Sequence, residues 1–311
     1  MCPKATILVH SCDSYYDVWD PFFALLNQYW PDCPYNIIIQ TESRDYDGSK
    51  WNNLKIHTLS LFSANRTVSY GKRVREHCKH IDSEYVITLM DDFFIRSKVD
   101  TQSIERIIEY MDNHPKVGCV CLVHHNDPYN IRYKYQEEGL EGYSKRPRYC
   151  HFAHDMQASI WRRKAYIESW KDYESPWLWE SPISNIRGID DGWEYYDKDS
   201  NTPFPIDYID YKKDEWSGLK KGKWVRDTVY DLFARHGIEV DYSVRGFYNP
   251  EVDTPFSRTI KSTLQEIRCY GAKRRIQATL FLIKRLIGTK FNLKTEETYI
   301  DYLRHKHYEK T

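Results

Sequence analysis

The stretch Glu84-Tyr85-Val86-Ile87-Thr88-Leu89-Met90-Asp91-Asp92-Phe93-Phe94-Ile95 runs from β-favouring apolar residues into two carboxylates and then an aromatic pair. Tyr85 to Met90 is almost continuously apolar, which suits a strand covered on both faces, as in a parallel α/β sheet. Ligands of such sheets bind outside the carboxyl ends of the strands, where Asp91 and Asp92 would emerge. Two adjacent carboxylates repel each other and are costly to hold at the end of a buried strand. A divalent cation removes that cost, and hard cations prefer oxygen ligands. The plainer alternative is a solvated strand end or turn.

The residues before this stretch alternate between strand and helix patterns. Thr6 to His10 reads as a strand, and Ser11-Cys12-Asp13-Ser14 as a turn with helix-capping residues. Asp17 to Trp30 repeats apolar residues at helical spacing, and Pro31 stops it. Tyr35–Gln40 and Leu54–Leu59 read as two further strands, and a helix from about Ser69 to His80 leads into the opening stretch. Strands separated by crossovers of this kind imply a parallel sheet. After the carboxylates the pattern predicts a helix over Thr101–Asn113, a strand over Val117–Val123, a strand over Gln157–Trp161 and a short helix over Arg162–Trp170. His124–Tyr149 and Asp190–Asp214 read as loops. Lys223–Phe233 reads as a helix and Ile238–Tyr242 as a short strand.

Composition narrows the function classes. No GxGxxG follows the first strand and no GxxxxGK[ST] occurs anywhere, which argues against a Rossmann dinucleotide site and a P-loop. The eight cysteines form no CxxC pair, so a zinc knuckle is not expected. Met1 to Lys4 leads straight into the first strand without a secretory leader, and no apolar run approaches the ~20 residues of a spanning helix. A cytoplasmic location with reduced thiols is therefore expected. The chain holds 45 basic and 45 acidic residues in all, yet residues 256–311 hold 13 Lys and Arg against 5 Asp and Glu. A basic extension at 256–311 thus follows an acidic domain at 1–255. In it, Lys273-Arg274-Arg275 and Lys284-Arg285 bracket Ile276, Leu280, Phe281, Ile283, Leu286 and Ile287. An apolar face with cationic flanks suits a helix lying on an anionic membrane surface, or one packed on the domain with its charges solvated.

Four pieces carry a resemblance: Ile7-Leu8-Val9-His10-Ser11-Cys12-Asp13, Tyr85 to Phe94, Gln157-Ala158-Ser159-Ile160-Trp161, and Pro176-Trp177-Leu178-Trp179-Glu180. In order and spacing the chain resembles bacterial nucleotide-sugar glycosyltransferases with the GT-A fold, of the kind found in capsule and O-antigen assembly. That resemblance implies an α/β fold with a mixed, mostly parallel sheet flanked by helices, here followed by a basic helical tail. It implies inverting transfer of a sugar from a nucleotide-diphosphate sugar to a saccharide or lipid-linked acceptor, assisted by Mn²⁺ or Mg²⁺. The family's metal motif is usually Asp-x-Asp; here the carboxylates are adjacent and Phe93 stands third.

By the same resemblance Asp92 is the first choice of metal ligand. Asp91 is a second ligand or a contact to ribose or sugar hydroxyls. Ser11 and Asp13 would lie beside the nucleotide, Asp13 touching base or ribose or else capping a helix. Arg73, at a helix start, would meet phosphate through its planar fork or lie on a solvated face. Arg245 is a further phosphate candidate. Glu180 takes the place of the general base, with Asp155 and Glu174 as alternatives and Asp190-Asp191 behind them. His151 and His154 suit acceptor contacts or packing. Other classes are a sugar-phosphate nucleotidyltransferase, whose Gly-rich basic loop is missing after the first strand, a glycosidase, and a nucleic-acid-binding protein using the basic tail. The acidic body argues against a nucleic-acid partner.

Overall fold

The computed structural model describes residues 4–63, 68–123, 140–146, 154–180, 192–199, 203–209 and 217–253. Its centre is one eight-stranded sheet in the order β3-β2-β1-β4-β7-β5-β8-β6. The first four strands, β1 (Ala5–His10), β2 (Asn36–Thr41), β3 (Lys55–Ser60) and β4 (Tyr85–Met90), are mutually parallel. Then comes β7 (Ser159–Arg162), antiparallel to both β4 and β5 (Val117–Cys121). The sheet closes with β8 (Glu194–Lys198), parallel to β5, and β6 (Tyr143–Lys145), antiparallel to β8. This is the α/β class with a mixed, mostly parallel sheet that the sequence led us to expect.

Alternation along the central strands explains why helices cover both faces. Ile7 and Val9 of β1 and Ile87 and Leu89 of β4 belong to one core with α1 (Tyr16–Tyr29) and α3 (Thr101–Asn113). Leu8 and Val86 turn the other way, into a second core with α2 (Tyr70–Lys79) and α4 (Arg163–Ser169). A strand buried on both faces is apolar along most of its length; all six residues of β1 are buried, and only Thr6 and His10 among them are polar. Helix α1 contributes Val18, Phe22, Leu25 and Leu26 from one stripe. Helix α3 is capped by the Asp100 carboxylate, which accepts from the Ser103 N–H at 3.0 Å.

Several boundaries differ from the sequence reading. β8 lies inside 190–214 and β6 inside 124–149, both read as loops. Their composition, EYYDK and YSK, is too polar to announce a strand, and their burial depends on partners far away in sequence. Lys223-Trp224 is not helical: as β10 it pairs with β9 (Leu219–Lys220), and α6 begins only at Arg226 and ends at Arg235. Ile238–Tyr242 forms no strand; the nearest pairing is a bridge between Trp224 and Phe247. The basic stretch 256–311 lies outside the described residues.

Gly71 shows how tightly α2 is seated. A Cβ there would lie 2.1 Å from the Lys171 carbonyl oxygen, and the Gly71 N–H donates to the Glu174 carbonyl at 2.8 Å. Gly71→Ala is expected to cost about 3 kcal/mol of stability, read from urea denaturation. A variant as stable as the native chain would mean that the 171–174 loop yields freely.

Candidate active site at the ends of β1 and β4

The chain leaves β1 toward β2 and β3 on one side, then returns to place β4 on the other. The crevice beyond the carboxyl ends of β1 and β4 is therefore the switch point of the sheet, where α/β proteins bind ligands. His10 pairs with Met90 in register, so Ser11 and Asp91 are the next residues out. Ser11 Oγ donates to Asp91 Oδ2, and Trp19 Nε1 donates to Ser11 Oγ at 2.6 Å. Asp91 is 1% exposed. Ser11 thus braces a carboxylate.

Asp92 is fixed from another direction. Ser217 Oγ donates to its Oδ2 at 2.8 Å, and the Gly218 N–H donates to its backbone carbonyl at 2.7 Å. Gly218 has to be glycine, because a Cβ would fall 2.2 Å from the Phe94 ring. The other carboxylate oxygen, Oδ1, is buried and has no hydrogen-bond partner. Burial pushes the Asp92 carboxyl up to about 6, against the opposing Ser217 hydrogen bond. Asp91 is raised well above the ordinary carboxylate range, first by burial and then by the Asp92 charge, with the Ser11 bond opposing. Two crowded, desolvated carboxylates with one oxygen unsatisfied fit a hard divalent cation.

The other residues singled out from sequence fall into three groups. Asp13 turns to the end of β2, where it accepts from the backbone N–H groups of Glu42, Ser43 and Arg44 and from Ser43 Oγ. Its carboxylate ties the two strand ends together and caps no helix. Arg73 is 4% exposed, pairs with Glu42 and lies over the Tyr70 ring at 5.0 Å. The N–H groups of Gly71 and Lys72 are taken by the Glu174 and Asp172 carbonyls, so the start of α2 is closed to an anion. Arg245 clamps Asp17 through Nε at 2.9 Å and also donates to the Gly222 and Ser14 carbonyls. It pins the 217–248 segment to the start of α1.

On the opposite wall, β7 runs antiparallel to β4, so the residues preceding it lie at the same sheet edge as Asp91 and Asp92. Glu180, ending α5 (Pro176–Glu180), accepts from the Met156 N–H at 2.8 Å there. Asp155 is committed elsewhere. Arg146 Nη2 donates to Asp155 Oδ2 at 2.7 Å and Arg146 Nε to Asp197 Oδ1 at 2.6 Å, all three nearly buried. Burial opposes the Arg146 charge, but Asp197 and Asp155 outweigh it and raise its pKa. Cys121, Asp155 and Asp197 come together as a possible metal cluster, yet the guanidinium already supplies the positive charge. Glu174 accepts from the Lys171 N–H at 2.6 Å and braces its own loop. His154 stacks on Trp179, and Trp179 on Trp170 at 4.2 Å. His124, His125, His151 and Asp190-Asp191 lie outside the described residues.

Sequence reasoning passed over Tyr15, Tyr70, Ser217 and Gly218. The Asp91 and Asp92 charges bear on the phenols of Tyr15 and Tyr70, adding to burial in raising both pKa values. Nothing in the sequence ties Ser217 to a carboxylate 125 positions earlier.

No protein-family model matches the chain, and no curated protein does. Among solved structures it is similar to a mannosyltransferase from Pyrobaculum calidifontis in complex with GDP-Man and Mn²⁺, at 11% identity over 97% of this chain and 85% of that one, with a TM-score of 0.45. S. aureus TarS 1-349 in complex with UDP-GlcNAc matches at 11% identity over 98% and 92%, with a TM-score of 0.40. A longer TarS structure is spanned over only 36% of its length. A cytidylyltransferase from Leptospira borgpetersenii matches at 11% identity over 79% and 99%, with a TM-score of 0.39.

Proposed function

We propose that the chain is a metal-assisted glycosyltransferase that moves a sugar from a nucleotide-diphosphate sugar to a saccharide or lipid-linked acceptor. The observation that carries this reading is the carboxylate pair at the switch point, with Asp92 Oδ1 buried and unsatisfied. Asp92 and Asp91 would hold Mn²⁺ or Mg²⁺, and Ser11 and Ser217 would keep the two carboxylates apart and aimed. Bound there, the cation supplies charge stabilisation for the diphosphate leaving group as the anomeric bond breaks. Arg73 and the Asp13-braced β2 loop would form the nucleotide wall, with Arg73 acting through its long-range charge.

Glu180 is the base in this reading. The Met156 N–H bond fixes one of its oxygens, and in this reading the carboxylate takes the proton of the acceptor hydroxyl. Trp177 stands three residues before it on the same helical face and is 68% exposed, a flat surface of the kind that stacks on a sugar. Glu180→Gln is expected to lower kcat about a hundredfold or more while leaving donor affinity unchanged. An unchanged kcat would move the base elsewhere.

The domain at 1–255 would then carry the chemistry and the basic stretch at 256–311 would dock on the inner leaflet, beside a lipid-linked acceptor in surface polysaccharide assembly. Among the described residues, no helix is long and apolar enough to cross a membrane. Incubation with UDP-, GDP- and CMP-sugars, with and without Mn²⁺, tests the reading. Sugar transfer or slow donor hydrolysis that needs Mn²⁺ supports it. Formation of nucleotide sugar from a nucleoside triphosphate and a sugar phosphate would make the chain a nucleotidyltransferase instead.

A further inference from the structure

Several polar atoms around the crevice are buried without a hydrogen-bond partner, among them His10 Nδ1, the carboxylate oxygen Oδ1 of Asp92 and the phenolic oxygen of Tyr70. Asp92 Oδ1 belongs to the cation site just described. The Tyr70 hydroxyl has no role there. A phenol brings a strong donor and an acceptor, and leaving it unsatisfied in the interior costs more than a phenylalanine would. Native chains keep few such groups, and each calls for a cause.

Tyr70 stands between the two halves of the crevice. Its ring is 5.9 Å from that of His10, whose carbonyl accepts from the Asp91 N–H at 3.2 Å. On the other side it is 5.4 Å from Trp170, which stacks at 4.2 Å on Trp179, the neighbour of Glu180. The backbone is anchored at the same point, because the Gly71 N–H donates to the Glu174 carbonyl at 2.8 Å and the Lys72 N–H to the Asp172 carbonyl at 3.2 Å. The charges of Asp91, Asp92 and Glu180 all reach this phenol. The guanidinium of Arg73 lies over its ring at 5.0 Å, a cation–π contact that fixes the ring and leaves the hydroxyl unused.

A group lying between the leaving-group side and the acceptor side is the unit being transferred. We propose that Tyr70 is a specificity-determining residue whose hydroxyl hydrogen-bonds a hydroxyl of the transferred sugar, an inference that rests on the glycosyltransferase reading. The pairing suits a polyhydroxylated ring, which both donates and accepts. A site built to bond a substrate hydroxyl discriminates strongly against an analogue without it, because its own polar group is then left unpaired.

The test is Tyr70→Phe in the full chain. Its thermal midpoint without ligand should equal or exceed that of the wild type, since no hydrogen bond is lost. Calorimetry with Mn²⁺ then compares two probes: the UDP-, GDP- or CMP-sugar that the wild type binds most tightly, and the corresponding free nucleotide. The variant should bind the free nucleotide as the wild type does and the nucleotide sugar about tenfold more weakly. Equal affinity for the nucleotide sugar, or an equal loss with the free nucleotide, would overturn the Tyr70 assignment and leave the glycosyltransferase reading standing. A wild type that binds no nucleotide sugar at all would overturn both.

Discussion

Asp92→Ala is expected to reduce sugar transfer by roughly a thousandfold or more, while the chain still folds. The fold should survive because the Asp92 side chain makes one described bond, from Ser217, and its other oxygen is unsatisfied. The strand that leads into it, β4, is packed in apolar cores on both faces. The charge is in fact a burden on the ligand-free protein. Its carboxyl titrates at about 6 in the folded state against an ordinary 3.8. Below about pH 4 the group is protonated whether the chain is folded or not, and its contribution is fully present. That contribution is lost as pH rises through about 6. Asp92→Asn should therefore gain on the wild type by about 2–3 kcal/mol between pH 4 and pH 8 in the absence of metal. Urea denaturation at the two pH values measures this. A gap that does not widen with pH would mean the carboxylate is not desolvated, and wild-type turnover in Asp92→Ala would remove the metal site.

Arg146→Ala is expected to have the largest effect on stability, about 3–5 kcal/mol. Arg146 bridges Asp155 and Asp197, with both carboxylates almost wholly buried. Removing the guanidinium strands two like charges in the interior, next to Cys121. It also unties β8 from the segment that leads into β7. Replacing all three residues by apolar ones of similar volume should restore much of the loss, because a buried ion cluster does little better than good packing. Denaturation midpoints of the single and triple variants measure both statements. If Arg146→Ala were as stable as the wild type and still bound a divalent ion at Cys121, Asp155 and Asp197, the cluster would be a metal site.

The contrast between these two sites marks how far the sequence could be read. The β1–α1–β2–β3–α2–β4 half was legible because its cores are local. Period-two and period-3.6 apolar patterns lie within single segments, and Asp91-Asp92 interrupts one of them conspicuously. The order β7 between β4 and β5 was not legible, since an antiparallel strand and a parallel one share the same composition when both faces are covered. β8 was hidden for a different reason. Its Asp197 and Lys198 are buried, and Asp197 is paired there with Arg146, 51 positions earlier. The same long-range pairing ties Asp155 to Arg146, although by sequence position it stood as an alternative to Glu180 for the base. Asp13 was recognisable as a residue that satisfies backbone N–H groups, but those groups belong to the β2 end rather than to the following helix. Tyr70 gave no signal, because an unsatisfied hydroxyl becomes visible only once its surroundings are in place.

Titration of Mn²⁺ into the protein, alone and with a saturating nucleoside diphosphate, tests the central claim most directly. One Mn²⁺ should bind per chain, more tightly when the diphosphate is present, and both the ion and this coupling should be lost in Asp91→Asn/Asp92→Asn. Undiminished Mn²⁺ binding in that double variant, or diphosphate binding by the wild type that ignores the cation, would contradict it.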